Sequence, residues 1–170
     1  MDLLQAFVLA VTNANPGDEG VSVFLLEQLI EIAIENRDRV ASIYPLIQSY
    51  LESLITLAAR ENQPILLERT TIGMLQLGTK LLRSEEFSGA LLQPLAPLTY
   101  LSSATVSPLA RQISYGLFEL LKIGAANIRS TEDWKIVFNL LECSGAGALQ
   151  PKQSANVVLD ETNVKISSVS

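Results

Sequence analysis

Apolar residues recur along most of this chain at spacings of three and four, the pattern of helices that bury one face. Between Val21 and Glu35, Leu25, Leu29 and Ile32 share a face, and Leu26, Ile30 and Ala33 lie beside them. Glu27, Glu31 and Glu35 form a separate stripe at i, i+4 and i+8. So wide an apolar arc predicts burial on more than one side. A second stripe runs from Val40 through Ile47, Leu51 and Ile55 to Ala58, with Pro45 inside it, so that helix either begins near Pro45 or bends there. Ile65 to Leu82 is apolar round most of its circumference, which predicts a helix lying between neighbours. Leu109, Ile113, Gly116, Leu117, Leu120 and Gly124 share a face, and Trp134, Val137, Leu140 and Leu141 make the last stripe. Leu91, Leu95 and Leu98 hold helical spacing in spite of Pro94 and Pro97.

The breaks between these stripes carry their own chemistry. Asn13 to Gly20 reads as a loop after a short apolar helix. Pro64 suits a first helical position after an Arg60–Gln63 turn. Ser84 before Glu85 and Glu86, Ser107 before Pro108, and Ser130 before Glu132 and Asp133 read as N-caps. The pattern predicts six or seven helices joined by short loops, with no strand in the body. Consecutive amphipathic helices with wide apolar arcs suit an all-α, armadillo/HEAT-like solenoid of antiparallel helix pairs. A closed helical bundle is the alternative. The helical domain is expected over residues 1–143. Residues 144–170, rich in Ser, Gly, Ala, Gln and Asn, are expected to be a flexible tail.

The 170 residues suit one domain, and 48% hydrophobic against 18% charged residues is enough to fill a core. Lys+Arg 12 against Asp+Glu 18 leaves a net charge of −6, which disfavours nucleic acid as a partner. The sequence has no histidine, which removes His-based triads, His metal sites and His general bases together. The single cysteine, Cys143, excludes an internal disulfide framework and is read as buried or inert. The apolar start lacks a basic stretch before it, and no window reaches the roughly 18 apolar residues of a membrane span, so a cytosolic or peripheral protein is expected.

Few residues offer chemistry. No phosphate-cradling loop, metal-ligand spacing or nucleophile–base pair is found, so no catalytic residue, metal or cofactor is assigned. The glutamate stripe reads as a solvated helix face. The last helix reads as packing on its predecessor, because a single Lys135 among its acids suits an anionic lipid surface poorly. Arg37-Asp38-Arg39 is more informative. One reading is a salt-bridge network that fixes a turn between helices. The other is that Arg37 or Arg39 faces outward and grips a lipid phosphate with its planar fork of donors. Both can hold, one per arginine.

The stretch Glu31 to Val40, centred on Asn36-Arg37-Asp38-Arg39, resembles a junction in large Arf guanine nucleotide exchange factors of the Golgi brefeldin A-resistance and GNOM type. Three further stretches fit in the same order: Leu67 to Leu75, Ile113 to Lys122, and Ala126 to Ser130 leading to Asp133-Trp134 and Leu140-Leu141-Glu142. Together they cover about Val21 to Glu142. The resemblance is to the first homology domain downstream of the catalytic exchange domain. It implies a helical-repeat, non-catalytic module that regulates exchange and helps recruit the protein to Golgi membranes and lipid droplets, with Arg37 and Arg39 as candidates for phosphoinositide binding. It also implies that the exchange domain with its glutamate finger lies outside this chain, that the chain is a piece of a longer protein, and that neighbouring domains are its partners. Its expected location is cytoplasmic and peripheral on the Golgi. A protein-interaction scaffold of helical-repeat type without lipid binding is the alternative.

Overall fold

A computed structural model describes residues 3–13, 18–83 and 91–145. Every regular element among them is helical. In chain order, leaving aside two three-residue 3-10 turns at Ser107–Leu109 and Ala125–Asn127, these are α1 (Leu3–Asn13), α2 (Glu19–Glu35), α3 (Arg37–Val40), α4 (Tyr44–Arg60), α5 (Pro64–Leu81), a 3-10 segment (Gln93–Tyr100), α6 (Ser103–Val106), α7 (Ala110–Gly124) and α8 (Thr131–Cys143). The expected N-cap at Ser84 lies outside the described residues, and so does the tail expected over 144–170 except for Ser144, which closes α8, and Gly145.

Most helix ends follow from local chemistry. Asp18 caps α2, its side chain accepting from the Val21 N–H, so α2 starts ahead of the expected Val21. Pro45 sits in the first turn of α4, where its missing N–H costs nothing, so that helix begins there and does not bend. Pro64 opens α5 in the same way. Ser130 caps α8 by accepting from the N–H groups of Glu132 and Asp133. The cap expected at Ser107 is corrected: its backbone is already helical (φ −53, ψ −41) and it only continues the turn. The cap is Ser102, extended at ψ 149, which accepts from the Thr105 N–H.

One cap comes from far along the chain. The first turn of α5 lacks a capping side chain of its own. Glu19, at the start of α2, accepts from Ile65 N at 3.1 Å and Leu66 N at 3.0 Å. A carboxylate at orphan helix-terminal N–H groups, on the positive end of the helix dipole, locks the amino ends of α2 and α5 side by side.

Packing then proceeds in two rows. α5 lies between α2 and α7; α4 lies against α1, α5 and the 3-10 segment, and that segment lies against α8. α5 and α7 run in the same direction, because Leu75 meets Gly116, Gly78 meets Leu120, and Leu82 meets Gly124. The buried core is continuous from Leu4 and Val8 of α1 to Val137 and Leu140 of α8. Thr70 and Thr71, fully buried on α5, satisfy their hydroxyls on the carbonyls of Leu66 (2.7 Å) and Leu67 (2.8 Å).

The 3-10 segment replaces the α-helix that Leu91, Leu95 and Leu98 suggested. All three are buried as their spacing implied. Pro94 and Pro97 supply no N–H, so a sustained i→i−4 ladder cannot form across them, and the chain takes the tighter turn instead.

Candidate functional site

Two helix ends and the short α3 build the junction that carries the arginines. Asn36 closes α2, with its backbone N–H (3.0 Å) and its Nδ2 (2.8 Å) both donating to the Ile32 carbonyl. Its own carbonyl then accepts from Arg39 N (2.8 Å) and Val40 N (3.1 Å), which starts α3. Val40, Ile43 and Tyr44 are buried and pin the turn to the core. Main-chain and side-chain bonds centred on Asn36 therefore shape the junction.

Arg37, Asp38 and Arg39 all stand exposed on α3. Arg37 Nε lies 3.8 Å from Asp38 Oδ1, with both side chains well solvated, a pair that adds little stability. Arg37 and Arg39 are two residues apart on a helical turn, so their side chains leave the axis roughly 200° apart. The structure places both arginines at one surface junction without converging them on one point.

The other residues of interest are distributed elsewhere. Glu27, Glu31 and Glu35 are exposed along α2, and Glu27 Oε1 lies 3.8 Å from Arg69 Nη1 of α5. Cys143 ends α8 in an exposed position, which corrects the buried reading. Trp134 is half-buried; its Nε1 donates to the Ile128 carbonyl at 3.1 Å and its ring stacks on Phe138 at 5.7 Å. With Ile136, Val137 and Leu140 buried, α8 uses its apolar face for packing on α7 and the 3-10 segment.

A buried polar cluster escaped the sequence reading. Gln93 Nε2 of the 3-10 segment donates to Asp133 Oδ1 of α8 at 3.1 Å, and the Tyr44 hydroxyl of α4 donates to the Leu91 carbonyl at 3.0 Å. Burial pushes the Tyr44 hydroxyl well above its ordinary value, and the nearby Asp133 and Glu52 push it the same way. Burial also raises the Asp133 carboxyl; the Gln93 bond opposes this and Glu132 adds to it. The only trace of the cluster in the sequence is an acid at a helix start, which reads as a cap.

The raised Asp133 value has a testable sign. Above the ordinary carboxylate pKa of about 3.9, folded protein holds this proton more tightly than unfolded protein, so stability falls as pH rises through the folded-state pKa. Asp133→Asn keeps an acceptor for Gln93 and removes the buried charge. Thermal melts from pH 4 to pH 8 are expected to show the variant gaining on the native protein as pH rises. A gain that shrinks with pH would mean that the ionised form is the favoured one here.

Among the described residues, no helix is long and apolar enough to cross a membrane, and no group of three or more His, Cys, Asp or Glu is placed to hold a metal ion. The fold and its surface thus define an all-helical packing module with a polar, arginine-bearing junction. The chain matches no defined protein-family profile and no solved structure. It is 37% identical over 134 residues, 78% of its length, to the Golgi-specific brefeldin A-resistance guanine nucleotide exchange factor 1 homolog of Caenorhabditis elegans. It is 31% identical over 130 residues to the ARF guanine-nucleotide exchange factor GNOM, and 29% identical over 139 residues to GNL1, both of Arabidopsis thaliana. The chain is homologous to the large Arf guanine nucleotide exchange factors. It spans 7 to 10% of the length of these relatives.

Proposed function

We propose that this chain is a non-catalytic regulatory and membrane-recruitment module of a large Arf exchange factor, acting in Golgi traffic and docking on phosphoinositide-containing membranes through Arg37 and Arg39. The observation that carries the reading is the exposure of both arginines on a short helix that Val40 anchors in the core. Their divergence favours one principal phosphate grip, with the second arginine adding general attraction to an anionic leaflet. The body is an armadillo/HEAT-like solenoid over residues 1–143, followed by a tail. The shared direction of α5 and α7, with α4 and the 3-10 segment behind them, supports that stacking. Its first partners are the neighbouring domains of the same exchange factor.

Flotation with phosphoinositide-containing vesicles tests the headgroup claim. At about 1 kcal/mol per surface cation, Arg37→Ala/Arg39→Ala is expected to bind roughly 10- to 30-fold more weakly, with an unchanged circular dichroism spectrum. Equal flotation of the two folded proteins refutes it. A protein-interaction scaffold without lipid contact is the second reading. It is favoured by the net charge of −6, which opposes adhesion to an anionic surface as a whole.

A further inference from the structure

A groove runs between α2 and α5. Its volume is about 450 Å³, and Leu26, Ile30, Ile34 and Ile72 supply its apolar lining. Its rim on α2 is acidic, formed by Glu27, Glu31 and Glu35, with Arg69 the one cation among the lining residues. The Arg69–Glu27 pair at 3.8 Å leaves both side chains about half exposed, so it neutralises little of the rim. Phe24, 60% exposed, lies on the same side of α2 as the three glutamates, one turn before Glu27. Past Ile72 and Gln76 the surface continues into a second, mostly apolar hollow of about 320 Å³ between α5 and α7.

We propose that this groove is a docking site for a basic amphipathic helix of a partner protein. The pitch of α2 sets the register. Glu27 to Glu35 covers about 12 Å, and a helix laid alongside repeats the same spacing, so its cations at i, i+4 and i+8 meet successive glutamates. Aliphatic residues between those cations then face Ile30, Ile34 and Ile72, and a leading Lys or Arg reaches the Phe24 ring. The charge of the rim selects this occupant over the other candidates. An anionic membrane is repelled by the stripe. A second copy brings the same stripe and the same net charge of −6. The arginines of α3 are not among the groove's lining residues, so this proposal stands or falls separately from the lipid reading.

Panning a displayed library of random 16-residue peptides on the immobilised full chain tests it, with binding of the selected peptides read by fluorescence anisotropy. The expected winners carry Lys or Arg at i, i+4 and i+8 with apolar residues between them. They bind Glu27→Gln/Glu31→Gln/Glu35→Gln at least tenfold more weakly, bind Phe24→Ala several-fold more weakly, and bind Arg37→Ala/Arg39→Ala as they bind the native chain. Circular dichroism melts verify that each variant is folded, and the substituted side chains are all exposed. A charge swap adds a gain of function: Glu31→Lys is expected to recover affinity for a winner whose central cation is changed to Glu. Failure to select any peptide, winners without the basic spacing, or winners indifferent to the glutamine variant would each overturn the proposal.

Discussion

Gly124→Val is expected to destabilise the protein by about 2–3 kcal/mol, within the usual range for overpacking. A side chain at position 124 would run into Leu82: a Cβ built there lies 2.9 Å from Leu82 Cγ and 3.0 Å from Leu82 Cβ, with Leu82 Cδ2 closer still. A clash with a Cβ cannot be relieved by a rotamer change, so one of the two helices must shift. The end of α5 resists that shift, because Asn127 Nδ2 donates to the Leu82 carbonyl at 2.6 Å and ties the two helix ends together. Gly116 shows the same relation about two turns earlier, where a Cβ would stand 2.6 Å from Leu75 Cδ1 and 2.9 Å from Leu75 Cβ. Glycine is normally a liability inside a helix, by about 1 kcal/mol, and here it permits the close approach that aligns α7 with α5. For a chain of this size each kcal/mol moves the melting temperature by roughly 2–4 °C, so a fall of about 5–10 °C is expected in a thermal melt. Leu82→Ala in the same chain should recover part of the loss, with a coupling on the order of 1 kcal/mol. Additive effects of the two substitutions would show that the contact is not the cause.

The extent of the helices was legible because burial and period coincide. Leu26, Leu29, Ile30 and Ala33 on α2, or Ile113, Leu117, Leu120 and Gly124 on α7, are buried where a 3.6-residue repeat puts them. The cap at Ser130 and the helix start at Pro64 were legible for the same reason: each acts within one turn of its own position. Interactions between distant positions were not. Nothing near Glu19 marks it as the cap of α5, and nothing near Asp133 marks it as the acceptor for Gln93. The Ser107 error has a similar origin, since Ser-Pro fits a cap in isolation and only the backbone of Ser102 shows where the turn begins. The arginine junction was legible as a polar cluster, with a salt-bridged turn and outward-facing arginines both left open; the exposure of Arg37 and Arg39 came with the structure. That Asn36 shapes it, and that the two arginines diverge, came only with the geometry. The groove between α2 and α5 has walls far apart in the chain, so the sequence showed an acidic stripe and no partner wall.

Leu98→Ala is expected to destabilise the protein by about 3 kcal/mol, the middle of the range for emptying a buried leucine site. Leu98 has no exposed surface and lies in the 3-10 segment, which separates α4 from α8. A 3-10 turn has poorer hydrogen-bond geometry than an α-helix, and this one contains Pro94 and Pro97, which donate nothing. Its position therefore depends on side-chain anchors: Leu95 and Leu98 in the core, the Tyr44 bond to Leu91 and the Gln93 bond to Asp133. Removing one anchor leaves a cavity beneath a segment with little backbone rigidity to resist movement. Partial collapse would reduce the loss, which is why the middle of the range is expected here and not its upper end. Urea unfolding should show a lower midpoint with an unchanged slope, and amide exchange should quicken first at the start of α8, where Asp133 holds Gln93. A loss below about 1 kcal/mol would mean that the segment is held by its turns and polar bonds alone. The α2–α5 groove lies in the other row, so peptide affinity at a temperature where the variant is folded should be unaltered. The two rows would then prove energetically coupled through the core and functionally separable at the surface.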